Sequence, residues 1–266
     1  MDLQIMTFNL RVDLPQDGVD SWGYRAEKVA RMIKKHNPLV LGVQEVLIHM
    51  IKDLERFFPD YSWIGEGRRG GMSDEFCPIF YNHDVLECVD SGQFWLSDQP
   101  AVPNSISWDS DFPRICTWGH FRSREKPFES FLVYNTHLDH ISQSARENGI
   151  ALIWERMNSH YREKNIPIVL TGDLNSQPDN SVIEFLRGKV SILGLTTDLQ
   201  DSYAALTETP GNTFHSFQGG SEGVPIDYIF CTPNGKVLET QIDRNTYDGS
   251  YPSDHYPVTS RIEICT

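Results

Sequence analysis

The chain has 266 residues, of which 39% are hydrophobic and 11% aromatic. This composition excludes a disordered protein because it supplies enough apolar surface for a core. The 37 Asp and Glu residues outnumber the 23 Lys and Arg residues, which gives a formal net charge of −14. Proteins that bind duplex DNA non-specifically neutralise its phosphates with Lys and Arg, so we do not expect tight duplex binding.

Strand and helix patterns alternate along the chain without a repeat or a linker. Short apolar runs bounded by turn residues predict strands at residues 3–8, 39–44, 79–81, 85–94, 118–122, 131–136, 166–171, 226–231 and 257–264. Apolar residues at helical spacing predict helices at residues 24–36, 48–58, 142–164 and 181–187. Asp179 or Asn180 can cap the last helix. We expect one α/β domain, residues 1–266, in which two sheets pack face to face with helices outside.

The start of the chain and its cysteines favour a cytoplasmic protein. Residues 1–5 run into a strand pattern with no basic segment, long apolar stretch or cleavage site, so we expect no signal peptide. The longest apolar runs, such as residues 39–43, are too short to cross a bilayer, and we expect no membrane contact. The cysteines form no Cys-x-x-Cys motif, which argues against a disulfide framework and a zinc site. They are Cys77, Cys88, Cys116, Cys231 and Cys265. No feature indicates an obligate protein partner.

Polar residues cluster at the ends of the predicted strands, where they are costly to bury without partners. Each has an ordinary explanation by itself, as a turn residue, a helix cap or a structural histidine. Their joint occurrence at strand ends instead predicts one catalytic site. They are Asn9, Glu45, His137, Asp173, Asn175, Asp227, Asp254 and His255.

These side chains suit hydrolysis of a phosphate ester with a divalent cation. Oxygen ligands without sulfur favour Mg²⁺ or Mn²⁺, and Glu45 is the first choice as ligand. Asp173, with Asn175 beside it, can orient and deprotonate the attacking water. Asp227 and His255 offer a carboxylate–imidazole pair that keeps the imidazole cationic against phosphate oxygens.

Six short motifs occur in a fixed order along the chain. They are Thr7-Phe8-Asn9, Gln44-Glu45, Asn135-Thr136-His137-Leu138, Gly172-Asp173-Leu174-Asn175, Ile226-Asp227-Tyr228-Ile229 and Ser253-Asp254-His255. Together they resemble the signature blocks of the endonuclease/exonuclease/phosphatase (DNase I-like) superfamily, and the Asn-Thr-His-Leu block is most similar to the Ccr4/nocturnin branch. The resemblance implies a four-layer α-β-β-α sandwich with its site at the sheet edge. Val46 and Leu47 follow Glu45 where DNase I-like members can carry an arginine, which further disfavours duplex DNA.

The resemblance also implies individual roles. It assigns the metal network to Asn9, Glu45 and Asp254. His137 resembles the second histidine of the nuclease-type branches, and Glu75, which lies before a Pro-Ile-Phe-Tyr strand, resembles its carboxylate partner. Arg114 resembles the arginine that grips the phosphate, and the alternative is an ordinary surface arginine.

Three loops, residues 67–71, 108–114 and 214–220, are predicted to form the specificity surface. In the first loop Arg68 and Arg69 can meet a second phosphate or form a solvated turn. Four aromatic residues can stack a base, although packing explains loop aromatics as often. They are Trp108, Phe112, Phe214 and Phe217.

Three functions therefore remain open. The first is a phosphodiesterase, 3′–5′ exonuclease-like, acting on a nucleotide or a short single-stranded nucleic acid. The second is a phosphomonoesterase acting on a small phosphorylated metabolite or sugar. The third, a non-catalytic binding protein on the same scaffold, is the weakest because no predicted catalytic residue is missing.

Overall fold

The computed structural model describes residues 1–264, which form twelve strands and four α-helices. The strands are β1 Asp2–Asn9, β2 Val40–Gln44, β3 Tyr61–Ile64, β4 Ile79–Asn82, β5 Leu86–Trp95, β6 Ile115–Ser123, β7 Ser130–His137, β8 Ile168–Asp173, β9 Gln200–Asp201, β10 Asp227–Cys231, β11 Gly235–Ile242 and β12 Val258–Ile264. The α-helices are α1 Trp22–His36, α2 Ile48–Phe57, α3 Gln143–Lys164 and α4 Ser181–Leu186, and the 3₁₀-helices are Pro15–Asp20 and Ser202–Ala205.

The strands form two mixed sheets. Their orders are β11-β12-β1-β2-β4-β3 in the first sheet and β5-β6-β7-β8-β10-β9 in the second. One central pair in each sheet is parallel, β1 with β2 and β7 with β8. Parallel neighbours end at the same sheet edge, which places His137 at the end of β7 opposite Asp173 at the end of β8. Because β10 runs antiparallel to β8, its first residue, Asp227, also lies opposite Asp173.

Helices cover the outer face of each sheet. In α1, Val29, Met32 and Ile33 occupy one helical face and join a buried cluster with α2 and with Met6 and Phe8 of β1. On the second sheet, α3 and α4 pack into the larger core, which also fills the space between the sheets. The predicted α/β fold, a four-layer α-β-β-α sandwich, is thereby confirmed.

A buried polar network joins the two sheets below the strand ends. Gln44 Nε2 donates hydrogen bonds to Asn135 Oδ1 at 2.7 Å and to Thr7 Oγ1 at 3.1 Å. Thr171 Oγ1 donates to the same Asn135 oxygen at 3.1 Å. Gly42 lies against this network, and a Cβ at that position would be 2.6 Å from both Asn135 Oδ1 and Thr171 Oγ1. The network therefore requires a residue without a side chain on β2.

Every predicted helix and strand is present with small differences at its ends, and three strands were missed. The missed strands are β3, β9 and β11. Strand β9 has only two residues, and β11 is a partly exposed edge strand with few apolar side chains, so neither carries a strong strand pattern. Of the two candidate caps for α4, Asn180 is the one that acts, because its Oδ1 accepts the N–H of Val182 at 3.0 Å.

No helix within residues 1–264 is both long enough and apolar enough to cross a membrane. Four cysteines in this part of the chain carry free thiols, and the fifth, Cys265, lies outside the described residues. The four are Cys77, Cys88, Cys116 and Cys231.

Candidate active site

A cavity of about 310 Å³ opens at the sheet edge where the polar strand ends meet. It brings together residues that lie far apart in the sequence. The predicted site residues that line it are Glu45, Arg68, Glu75, Phe112, Arg114, His137, Asp173, Asn175, Phe214, Asp254 and His255. Asn9 and Asp227 are both fully buried and do not line the cavity, but Asn9 forms a hydrogen bond with Asp173 and Asp227 forms one with His255.

Asn9 holds two carboxylates at the bottom of the cavity. Its Nδ2 donates to Glu45 Oε1 at 2.9 Å and to Asp173 Oδ2 at 3.0 Å. Its Oδ1 accepts the backbone N–H of Arg11 at 3.0 Å, so the amide nitrogen is the atom that faces the carboxylates. The other Glu45 oxygen accepts the N–H of Val12 at 3.1 Å. These bonds let Asn9 orient both carboxylates, and its place in the metal network stays a prediction.

His255 and Asp227 form a buried ion pair. The imidazole Nδ1 lies 2.9 Å from Asp227 Oδ2, and Nε2 points toward the cavity, 3.8 Å from Asp173 Oδ2. Burial alone would lower the pKa of His255, but the charge and hydrogen bond of Asp227 raise that pKa to about 10. His255 is therefore a cation near neutral pH. The second Asp227 oxygen is buried and has no hydrogen-bond partner among the described residues.

Asp173 and His137 have pKa values shifted in opposite directions. Burial, and then the nearby charge of Asp227, raise the pKa of Asp173 to about 7. Burial, followed by the charge of Arg114, holds the pKa of His137 well below its usual value, so this imidazole is neutral. Its Nε2 can then accept the side-chain amide of Asn175, 2.9 Å away, while the Asn175 backbone N–H donates to Asp173 Oδ1 at 2.9 Å.

The donor set fits a hard divalent cation. Glu45, His137 and Asp173 each offer a ligand atom within 4.8 Å of the others, and Asp254 lines the same cavity. Burial, and to a smaller extent the charge of Glu45, raise the pKa of Asp254. A cation among these oxygens would stabilise their charged forms, and the cluster includes no cysteine, as Mg²⁺ and Mn²⁺ prefer.

The other side of the cavity is cationic. Arg68 forms ion pairs with Glu75, with Nη2 2.9 Å from Oε1, and with Asp74, with Nε 3.0 Å from Oδ1, and its guanidinium carbon lies 4.5 Å from the ring centroid of Phe112. Burial raises the pKa of Glu75 to about 7 even though Arg68 opposes the shift. This side therefore combines fixed N–H donors with a carboxyl group that can accept or donate.

Arg114 completes this side and is only 6% exposed, so it is not an ordinary surface arginine. Its Nη2 lies 3.0 Å from His140 Nδ1, and its Nε lies 3.5 Å from Asp139 Oδ1. Asp139 also accepts the backbone N–H groups of Ile141 and Ser142 at the start of α3. The arginine is thus held by a carboxylate that is itself fixed by a helix terminus.

Three predicted substrate-binding residues do not line the cavity, which corrects their predicted position. Arg69 forms an ion pair with Asp74 at 2.6 Å on an exposed turn. Trp108 donates its indole N–H to Asp98 at 3.1 Å. Phe217 packs against a guanidinium of α1, whose carbon lies 5.4 Å from the ring centroid. For these residues the alternative explanation, local loop packing, describes the structure.

Four residues that line the cavity were not predicted to belong to it. They are Arg11, Val12, His140 and Ile226, the last of which was named only within its motif. Arg11 follows Asn9 by two positions and His140 follows His137 by three, so each lies just beyond a strand end. Extending the strand-end criterion by a few residues would have found both.

The comparisons with known proteins agree with this geometry. Residues 6–255 match the Endonuclease/Exonuclease/phosphatase family. The chain belongs to this family. It is therefore a phosphoesterase, and the Ccr4-type likeness of its motifs is confirmed by two relatives.

Protein angel of Drosophila melanogaster is 27% identical over 262 residues, which cover 95% of this chain and 70% of that protein. The CCR4-Not complex 3′–5′-exoribonuclease subunit Ccr4 of Kluyveromyces lactis is 25% identical over 316 residues, which cover 92% of this chain but 38% of that protein. A solved structure, the mannosyl-6-phosphatase of Bacteroides thetaiotaomicron, superposes with a TM-score of 0.90 at 34% identity, covering 98% of this chain and 99% of that one.

Proposed function

We propose that this phosphoesterase is a Mg²⁺-dependent phosphomonoesterase whose substrate is a small metabolite with several hydroxyl groups, such as a sugar phosphate. The observation that carries the proposal is a cavity of about 310 Å³ that has carboxylates on one side and Arg68, Glu75 and Arg114 on the other. This volume lies at the lower end of the roughly 300–1,000 Å³ typical of small-molecule sites. Similarity at 34% identity to a mannosyl-6-phosphatase along nearly the whole chain supports the same substrate class.

The residues that would hold the cation are Glu45, Asp173 and Asp254, with Mn²⁺ as an alternative to Mg²⁺. When bound, the cation supplies positive charge at a phosphoryl oxygen and acts as a Lewis acid. Asn9 keeps two of these carboxylates in place through its two hydrogen bonds.

The remaining groups act on water and on the phosphate. Asp173 accepts a proton from the water that attacks phosphorus in line with the departing oxygen. Asn175 fixes the orientation of that carboxylate through its backbone N–H. His255, charged because of Asp227, donates from Nε2 to a phosphoryl oxygen and stabilises the charge that develops there.

The cationic side of the cavity would bind the substrate around the phosphate. Arg114 donates to a phosphoryl oxygen, while Glu75 and Arg68 accept from and donate to hydroxyl groups of the leaving alcohol. Phe112 and Phe214 flank the opening and offer apolar contact, the latter with its ring centroid 5.0 Å from that of His255.

A second candidate is a phosphodiesterase for a nucleotide or a short single-stranded nucleic acid. It is favoured by the similarity to Ccr4, which is named as a 3′–5′ exoribonuclease, and to Protein angel. The net charge of −14 disfavours a long polyanionic substrate but not a nucleotide.

The two candidates differ in the ester that they cleave. We would compare hydrolysis of p-nitrophenyl phosphate and bis-p-nitrophenyl phosphate with Mg²⁺ and with EDTA, and then test sugar phosphates and short oligonucleotides. We expect monoester hydrolysis that EDTA abolishes and added Mg²⁺ restores, and an Asp173→Asn variant serves as the inactive control. Faster cleavage of the diester would favour the second candidate, and hydrolysis that persists in EDTA would contradict the role of the cation.

A further inference from the structure

Arg11 lines the cavity beside the carboxylates. Its backbone is held in the left-handed region, with φ of 56°, which is uncommon for a residue other than glycine. Both of its peptide groups are tied down, because its N–H donates to Asn9 Oδ1 at 3.0 Å and its C=O accepts from Arg25 Nη2 at 3.0 Å. An uncommon backbone conformation that is fixed in this way recurs at functional sites.

The side chain of Arg11 is oriented by Asp17, a residue of the first 3₁₀-helix. Arg11 Nε and Nη2 donate to the two Asp17 oxygens at 3.0 and 3.1 Å, a bidentate pair that fixes the plane of the guanidinium. Nε also lies 3.9 Å from Asp254 Oδ2. The third nitrogen, Nη1, donates no hydrogen bond to any residue between 1 and 264. The Arg11 side chain is 30% exposed, and Arg11 lines the cavity.

The chemistry of the substrate suggests what this edge binds. A phosphomonoester carries close to two negative charges near neutral pH and has three terminal oxygens. A phosphodiester carries one charge and has two. Arg114 lies beside His140 and Arg11 lies beside Asp254, so the two guanidinium groups line different parts of the cavity.

We propose that Arg11 is a substrate-contacting residue whose Nη1 edge binds a terminal oxygen of the phosphate and thereby selects the monoester dianion over a diester. The inference rests on the proposed function, since it concerns the same site. Asp17 acts as a positioning residue, because it reaches the substrate only through Arg11.

A purely structural role for Arg11 predicts a different result. If Arg11 only balanced the charge of Asp254 and Glu45, its loss would weaken the binding of all anions alike. If Arg11 contacts the terminal oxygen that a diester lacks, its loss weakens the binding of inorganic phosphate much more than the binding of dimethyl phosphate. The removal of a positive charge beside the carboxylates should at the same time leave Mg²⁺ affinity unchanged or increased.

The test compares Arg11→Gln with the matched control Arg122→Gln. Arg122 also donates from Nε and Nη2 to a carboxylate, that of Glu87, and is 39% exposed, but it lies at the far end of β6 from Arg114. Binding of inorganic phosphate and of dimethyl phosphate is measured by calorimetry at saturating Mg²⁺. We expect Arg11→Gln to weaken the binding of inorganic phosphate by about 10- to 100-fold, which is the size expected for the loss of a charge-assisted hydrogen bond. The binding of dimethyl phosphate should weaken much less. Arg122→Gln should change neither.

Turnover separates this inference from the function on which it rests. In Arg11→Gln the ratio of kcat/KM for the monoester to that for the diester should fall in parallel with phosphate binding. Equal weakening of both anions, or unchanged phosphate binding, overturns the inference. If the wild-type protein cleaves no monoester while phosphate binding still depends selectively on Arg11, the proposed function is wrong, but the contact between Arg11 and a phosphate oxygen is supported. Should Arg11→Gln not fold, Arg11→Lys keeps the charge but loses the bidentate pair, and the same selective loss is expected.

Discussion

The ion pair between His255 and Asp227 allows a test whose size follows from the structure. An Asp227→Asn substitution keeps an oxygen that can accept from Nδ1 but removes the charge. The fold raises the pKa of His255 from an ordinary value of about 6.5 to about 10, and the imidazole is 5% exposed. Breaking a buried pair of this kind costs roughly 3–5 kcal/mol. We therefore expect the pKa of His255 to fall by several units and the free energy of unfolding to decrease by that order.

The effect on stability should depend on pH with a definite sign. Because the pKa of His255 is raised in the folded protein, its contribution is complete below about pH 6.5 and is lost as the pH rises toward 10. The difference in unfolding free energy between wild type and Asp227→Asn should thus be largest near pH 6.5 and shrink at higher pH. Denaturant titrations at pH 6.5 and 9.5 in EDTA, where no cation alters the charges, measure that difference.

Imidazole NMR of the ¹⁵N-labelled protein reports the pKa of His255 directly. Asp201→Asn is a suitable control, since Asp201 is also buried and also accepts hydrogen bonds, but from Arg187 and Tyr203. The control should leave the pKa of His255 near its wild-type value. An unchanged His255 pKa in Asp227→Asn, or a stability difference that does not vary with pH, would refute the account of the pair.

Three further predictions concern other parts of the molecule. Arg114→Ala should raise KM about 10- to 100-fold with a smaller change in kcat if the side chain binds the ground-state phosphate, and unchanged steady-state kinetics would remove Arg114 from the site. Gly42→Ala should cost about 1–3 kcal/mol in denaturant unfolding, because the new Cβ would lie 2.6 Å from Asn135 Oδ1, and a neutral result would contradict the packing around the buried network. Although burial would raise the pKa of Asp243, hydrogen bonds from His36, Lys35 and Asn245 hold that pKa well below the usual range, so the stability deficit of Asp243→Asn should be complete above about pH 4, shrink below it, and be lost only as the pH falls through the low pKa of the folded protein. Denaturant unfolding at pH 7 and pH 3 checks this sign, and a deficit that is larger at pH 3 than at pH 7 would contradict it.

The main residues of the candidate site could be predicted because polar groups interrupt otherwise regular apolar patterns. Glu45 follows a buried apolar strand and Asp173 ends one, where hydrophobic burial gives no reason for a carboxylate. The alternation of strands and helices then places such strand ends at one sheet edge. A pattern of this kind is local and periodic, so it can be recognised in a single sequence.

Features that depend on long-range partners could not be predicted in this way. The ion pair of Asp139 with Arg114 joins the segment after β7 to the loop before β6, and no sequence pattern in either segment indicates the contact. The positions of Trp108 and Phe217 are set by loop packing, for which aromatic side chains carry no periodic signal. Strand β11 is defined by its pairing with β12 and not by its own apolar residues.

The polar network between the sheets has a consequence for how this active site can change. Glu45 follows a strand of one sheet and Asp173 ends a strand of the other, so any sliding between the sheets would separate the two carboxylates. Gln44 and Asn135 oppose such sliding, since a shift would leave buried amides without partners. The loops around the opening do not join the two sheets, and loops of this kind tolerate insertions and new side chains more readily. Changes in these loops can therefore alter what binds at the opening without moving Glu45 and Asp173 apart.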